Sequence, residues 1–349
     1  MQIIELLTPA YDVAWLPWAV QYFFLVGIAT TCALTAAGIA LIGRPGGDSW
    51  RLMPVLATVL AVAAIAAPVS LLADLHQPAR FWHFYAYFTP WSWMSLGAYL
   101  LPVFVALSLA FCLAWWLGRV VWLRVLAVLL TLSALSILVY TGSEVMVVRS
   151  RPLWNTPFLP LNFALTGWLA TLGAVLLVGR LLPGGMQALP LPLVRRLAWA
   201  AVLALAASAL LWGALGLLGR EPSFAAARLL FERFPVWRLG FYGSVAAGLL
   251  VIALLRAPAQ ALLRPGYSLA LALIMLASPW MFRWIIFMAV QGVPKYGAGL
   301  YLYRMPLGSD GLLGMLGVFG LCIALLSAVT YLIARFPAKA MVTAPQAGH

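Results

Sequence analysis

A few polar side chains stand inside long apolar runs, and their types suit the handling of protons and hydrogen bonds. Gln21 and Tyr22 share one run, Tyr140, Thr141 and Glu144 a second, and Arg283 a third. Tyr140 and Glu144 are four residues apart, which puts them on one face of a helix. Asp74, His76, Arg80 and His83 gather at the end of a further run. A carboxylate or imidazole accepts a proton, and an amide or phenol holds an oxygen by a hydrogen bond. That set fits a molecule with two ring oxygens and two protons to release, such as a quinol. Structural uses fit the same residues. Glu144 and Arg283 can form an ion pair, and Asp74 can cap a helix or pair with Arg80. Gln21 and Tyr140 can tie helices together, as polar groups do in membranes.

The elements that must position these groups follow from composition. Of 349 residues, 65% are hydrophobic and 8% charged. Soluble domains carry about 25% charged residues, so this protein could not cover a soluble surface. The net charge of +13 comes from Lys and Arg scattered singly among apolar runs, which excludes a nucleic-acid binder. A spanning helix needs about 20 mostly apolar residues. Nine segments qualify: 15–42, 51–73, 93–117, 121–148, 159–182, 197–219, 237–255, 267–291 and 311–335. None alternates polar with apolar, so strands are excluded. The expectation is an all-α polytopic bundle of about nine transmembrane helices over 1–337, with a flexible tail over 338–349. The first run is long and has an acidic start, so it reads as a retained span rather than a signal peptide.

Basic residues set the orientation. Short connections holding Arg44, Arg51, Arg119, Arg124, Arg195 and Arg196 carry the higher basic density, which places them inside and the N-terminus outside. Nearly every acid then falls at or near the outer side, where the connections are longer. Gln21, Tyr140, Glu144 and Arg283 come to lie roughly 5–13 Å below that surface, at the depth of the Asp74 connection. A site there can take a lipid-soluble molecule and exchange protons with outer water. The sixth, seventh and ninth spans hold almost no strongly polar side chains and read as scaffold.

Haem and iron–sulfur clusters are not expected in this protein. The 3 histidines are His76, His83 and His349, none inside a span where an axial ligand must stand. The 3 cysteines, Cys32, Cys112 and Cys322, lie singly in apolar segments, as small core residues do.

The stretch from Asp74 through His76, Gln77, Pro78 and Arg80 to Trp82, followed by Thr89 to Gly97, resembles the NrfD/PsrC family. The family pattern is close to Asp-Leu-Gly-Arg-Pro-x-Arg-x-Trp, then Ser-x-Met-Ser-x-Gly. Here His76 and Gln77 replace Gly-Arg. Tyr140-Thr141-Gly142 is another family mark. Trp15 to Phe24, Ala73 to Gln77, Trp82 to Tyr85 and Tyr140 to Val145 resemble the branch that serves tetrathionate reduction. These marks lie in the first half of the chain, and a ninth span exceeds the eight of better-known members.

The resemblance implies a haem-free subunit of a molybdopterin oxidoreductase complex in the bacterial inner membrane. It would oxidise menaquinol or ubiquinol near the periplasmic face, during anaerobic respiration. Electrons would pass to a periplasmic four-cluster iron–sulfur subunit, then to a molybdopterin catalytic subunit that reduces tetrathionate. Gln21 and Tyr140 match the family's quinone-binding positions, with Arg80 and Arg283 as further binding candidates. Glu144, Asp74 and His76 would take the protons. Three other readings stay open: a sister complex reducing polysulfide, arsenate or another acceptor, a secondary transporter, and a passive anchor. A transporter pathway should cross the midplane, whereas these polar groups cluster at one end.

The purified protein is expected to show no b-type haem band in a reduced-minus-oxidised spectrum. Such a band would overturn the histidine argument.

Overall fold

The computed structural model describes residues 15–75, 77–293 and 303–339. The C-terminal tail expected from Ala338 lies outside these residues beyond Lys339, as do His76 and His349. Among the described residues the elements are helices, with no strand. They are α1 (Pro17–Ile42), α2 (Met53–Asp74), α3 (His83–Ala86), α4 (Trp93–Trp116), α5 (Val120–Met146) and α6 (Phe158–Val178). Then follow α7 (Leu191–Leu217), α8 (Pro222–Arg233), α9 (Pro235–Arg256), α10 (Pro265–Trp284) and α11 (Leu312–Arg335). Among the described residues 9 helices are long and apolar enough to cross a membrane. The molecule is a multi-pass helical membrane protein, as its composition demands.

Two elements were not expected as helices. α3 is a single turn in the connection after α2. α8 has 12 residues, too few to span, and starts on Glu221, whose carboxylate accepts from the Ser223 amide. α7 begins at Leu191, before the expected 197, because Pro192 fits the first turn of a helix. α10 runs into one π-helical stretch, Ile285–Ala289, immediately after Arg283.

α1 occupies the centre and packs against α2, α5, α6, α10 and α11. Nearly all of it from Pro17 to Ala33 is buried. In lipid, helices gain no hydrophobic drive to associate, so close packing of small residues matters. α1 and α6 cross at Gly27 and Gly167, where a Cβ on Gly167 would stand 2.8 Å from the Gly27 carbonyl oxygen. Below the crossing, the Thr31 and Thr171 hydroxyls meet at 2.8 Å, and Thr171 also donates to the Ile28 carbonyl. Cys32 and Cys112 donate to the Leu56 and Ala57 carbonyls of α2, which gives these thiols a place in the helix packing. α7, α9 and α11 are peripheral and turn most of their apolar surface outward, consistent with a scaffold facing lipid.

Arg283 sits at the α1–α6–α10 junction and is 0% exposed. Its guanidinium donates to the Phe23 carbonyl at 2.9 Å, the Phe163 carbonyl at 2.9 Å, the Thr166 hydroxyl at 2.7 Å and the Pro279 carbonyl at 3.0 Å. It also lies over the Phe163 ring. The glycine at position 27 leaves room for this head group.

Arg283→Met is therefore expected to destabilise the bundle by on the order of 3 kcal/mol, because buried acceptors are stranded at about 1–3 kcal/mol each. Arg283→Lys should restore little, since a compact ammonium lacks the planar fork. Thermal unfolding in detergent measures this, and an unchanged midpoint for Arg283→Met would refute the assigned role.

Candidate functional site

Of the polar residues singled out in the sequence, Gln21, Tyr140, Glu144 and Asp74 come to one level, at the end of the bundle where α1 begins. α1 brings Gln21 and Tyr22, both 0% exposed. α5 runs the other way and brings Tyr140 and Glu144 to the same level, one turn apart and both buried. α2 ends there on Asp74. Tyr140 stands between Tyr22 and Glu144 and is in contact with both. Asp74 is near enough for its charge to bear on Glu144.

The local sequence explains this placement. Tyr140 lies flat against Gly97 of α4, where any Cβ would run into its ring. Ser92 caps α4, its hydroxyl accepting from the Ser95 amide, and the Ser95 hydroxyl in turn accepts from the Thr89 amide at 2.9 Å. The Ser-x-x-Ser-x-Gly spacing thus builds a seat for the tyrosine. Gly142 lets α5 approach Pro160 of α6 closely. Thr141 returns its hydroxyl to the Ile137 carbonyl of its own helix and takes no outward role.

Several of these groups have hydrogen-bonding capacity left over. Neither Glu144 carboxylate oxygen completes a hydrogen bond of good geometry, and nor does the Tyr22 hydroxyl. Gln21 accepts from the Trp280 indole at 3.3 Å through Oε1, while its Nε2 has no acceptor. An indole N–H can only donate, so it fixes which end of the Gln21 amide is oxygen and leaves an N–H donor over. Buried polar groups are normally satisfied, and leaving one bare costs about 1–3 kcal/mol. At this level of the bundle the groups left over are an amide donor on α1 beside Trp280 and, where α1 meets α5, two phenols and a carboxylate.

The structural alternatives resolve individually. Glu144 and Arg283 form no ion pair; the arginine is spent on backbone carbonyls and Thr166. Arg283 therefore serves the helix junction, and its expected place among quinone-binding groups has no support in these contacts. Asp74 does not pair with Arg80, which is exposed on the 3-10 turn Pro78–Arg80. Asp74 instead caps α1 from across the bundle, accepting from the Leu16 amide at 3.0 Å. α1 has no side-chain cap of its own, and a carboxylate is favoured at the positive end of a helix. His76 lies outside the described residues.

Tyr22 and Trp280 belong to the cluster although neither was picked as a site residue. Tyr22 adjoins Gln21 in the sequence, which was signal enough. Trp280 could not be picked out, because one-dimensional spacing cannot place it beside a residue 259 positions away. Gln291 is a third case. Its amide holds both the Trp15 amide and the Trp15 carbonyl, and so fixes the approach to α1.

Comparison with known proteins gives the family. Residues 6–295 match the model of the family described as polysulphide reductase, NrfD. The sequence is 36% identical over 338 residues to the C subunit of tetrathionate reductase from Salmonella typhimurium, covering 93% of each protein. It is 28% identical over 181 residues to the C subunit of polysulfide reductase from Wolinella succinogenes, covering 47% of this protein and 57% of that one. The second half of the sequence, where the motifs were silent, is thus included in the likeness, and the chain belongs to the NrfD family of membrane proteins.

Proposed function

We propose that this protein is the haem-free, quinol-oxidising membrane subunit of a molybdopterin oxidoreductase complex. Its N-terminus faces the periplasm, and its electrons leave through a periplasmic iron–sulfur subunit. The molybdopterin subunit beyond then reduces tetrathionate. The observation that carries the reading is the buried Glu144 carboxylate, neither oxygen of which completes a hydrogen bond of good geometry, with Tyr140 beside it and Tyr22 and Asp74 near by. The tetrathionate assignment rests on identity to the Salmonella subunit along nearly the whole sequence.

The chemistry needs little else from this protein. Oxidation of a quinol to a quinone breaks two O–H bonds and releases two protons and two electrons. Gln21 Nε2 can donate to one ring oxygen, with Trp280 holding the amide in that sense. Glu144 accepts a proton from the other ring oxygen, and Tyr140 orients it. Asp74, at the bundle end, is the next acceptor on the way to water and remains the cap of α1. Glu144 passes the first proton on to Asp74 and is then free to take the second, while the two electrons leave one at a time to the partner's iron–sulfur clusters.

In membranes holding the whole complex, Glu144→Gln is expected to slow quinol oxidation by on the order of 100-fold, the usual scale for removing a general base. Tyr140→Phe should slow it less, with assembly intact in both. Wild-type rates in a fully assembled Glu144→Gln complex would reduce the protein to a passive anchor. Purification should bring iron–sulfur and molybdenum subunits with it; a protein that comes out alone would favour a transporter.

A further inference from the structure

A second feature lies at the other end of α1, away from the polar cluster. α5 and α6 diverge there and leave a groove of about 660 Å³ on the flank of α1, closed on its far side by α7. Its walls are apolar: Gly38 and Ile42 of α1, Leu138 of α5, Leu165 and Trp168 of α6, and Leu197 of α7. Along α1 it runs from Thr31 to Gly43, about 18 Å at 1.5 Å per residue. One leaflet of a bilayer is about 15 Å thick, half of the hydrocarbon core. The groove therefore begins at a membrane surface and stops near the midplane, the reach of one acyl chain.

The surface end of the groove is basic. Arg44 follows Gly43 directly and is exposed, and its guanidinium has no hydrogen bond or ion pair among the described residues. Arg196 is exposed on α7, one turn from the groove residue Leu193, and makes only a 3.4 Å contact to the Pro192 carbonyl of its own helix. Arg51 is committed to the Gln187 and Ala188 carbonyls and to Asp48, the one acid here, whose side chain is 87% exposed. Ser49 and Trp50 crowd Gly43 at the same end, and the Trp50 indole N–H is buried without an acceptor.

We propose that the groove binds one acyl chain of an anionic phospholipid, whose phosphate is held by Arg44 and Arg196. The lipid tail fills an apolar channel of matching length, and the headgroup meets two free cations and a spare indole donor. The site is independent of the quinol reading, since it shares no residue with the polar cluster.

Gly38 provides a clean test, because a Cβ there meets nothing within 4 Å. Gly38→Phe starts from a position where the Cβ has room and puts a ring in the path of the lipid tail. The full-length protein, isolated with its co-purifying subunits and stripped of lipid, is titrated with phosphatidylglycerol, phosphatidylcholine or menaquinone, and bound molecules are counted by native mass spectrometry. The wild type is expected to retain phosphatidylglycerol in preference to phosphatidylcholine. Gly38→Phe should lose this tight site with an unchanged thermal midpoint in detergent alone. Arg44→Gln and Arg196→Gln should each weaken it roughly fivefold, with less salt dependence. Equal retention of the two phospholipids, or full retention by Gly38→Phe, would overturn the proposal. Displacement of phosphatidylglycerol by menaquinone would also overturn it and make the groove a quinone-tail channel.

Discussion

The guanidinium of Arg283 is the interaction on which the rest of the bundle depends. Lipid supplies no water to satisfy a polar group, so a buried arginine must find its acceptors inside the protein. It finds them on α1, on α6 and on its own helix α10, and so joins the three at one level. The requirement propagates. Gly27 must lack a side chain to admit the head group, and Gly167 must lack one to let α6 approach α1. The Pro279 carbonyl, one turn before the arginine on the same helix, accepts from the same guanidinium. The π-helical stretch that follows resets the phase of the backbone before Gln291, which grips the residue preceding α1's cap.

With that junction made, the start of α1 is held from several sides. Asp74 takes the Leu16 amide, Gln291 takes both polar groups of the Trp15 backbone, and Trp280 takes Gln21. These bonds rigidify the element that carries Gln21 and Tyr22 past Tyr140 and Glu144. A site built on fixed helices can tolerate bare polar atoms, since the surrounding packing supplies the stability that the unmade bonds forgo. Asp74 is itself committed to the start of α1, where its carboxylate accepts from the Leu16 amide.

The two ends of α1 divide the labour. One end concentrates acids, phenols and an amide in a dry interior, and the other presents an apolar groove with arginines at its mouth. α7, α9 and α11 add little polar chemistry and give the membrane its apolar boundary. The expected bias of acids toward one side of the membrane and of basic density toward the other, read from the sequence, follows the same division.

Much of this was legible in one dimension. Apolar run length alone set the number of spans, because lipid permits no other backbone solution. The spacing of Tyr140 and Glu144 and the rarity of polar groups marked the site's members, and the Ser92 to Gly97 stretch marked its family. What spacing could not decide was which polar group meets which. Glu144 and Arg283 looked like natural partners by charge, yet they belong to different contact sets. Asp74 looked like a helix cap or a mate for Arg80, and it is a cap, for α1 rather than a partner of Arg80. Nothing in the spacing tied Trp280 to Gln21. Sequence determined the elements and the inventory of polar groups, since helix formation and membrane insertion depend on local composition. Only the tertiary structure decided the pairings, since each partner sits on a helix distant in sequence, and a buried group's bond is chosen by whichever acceptor the packing brings within 3 Å.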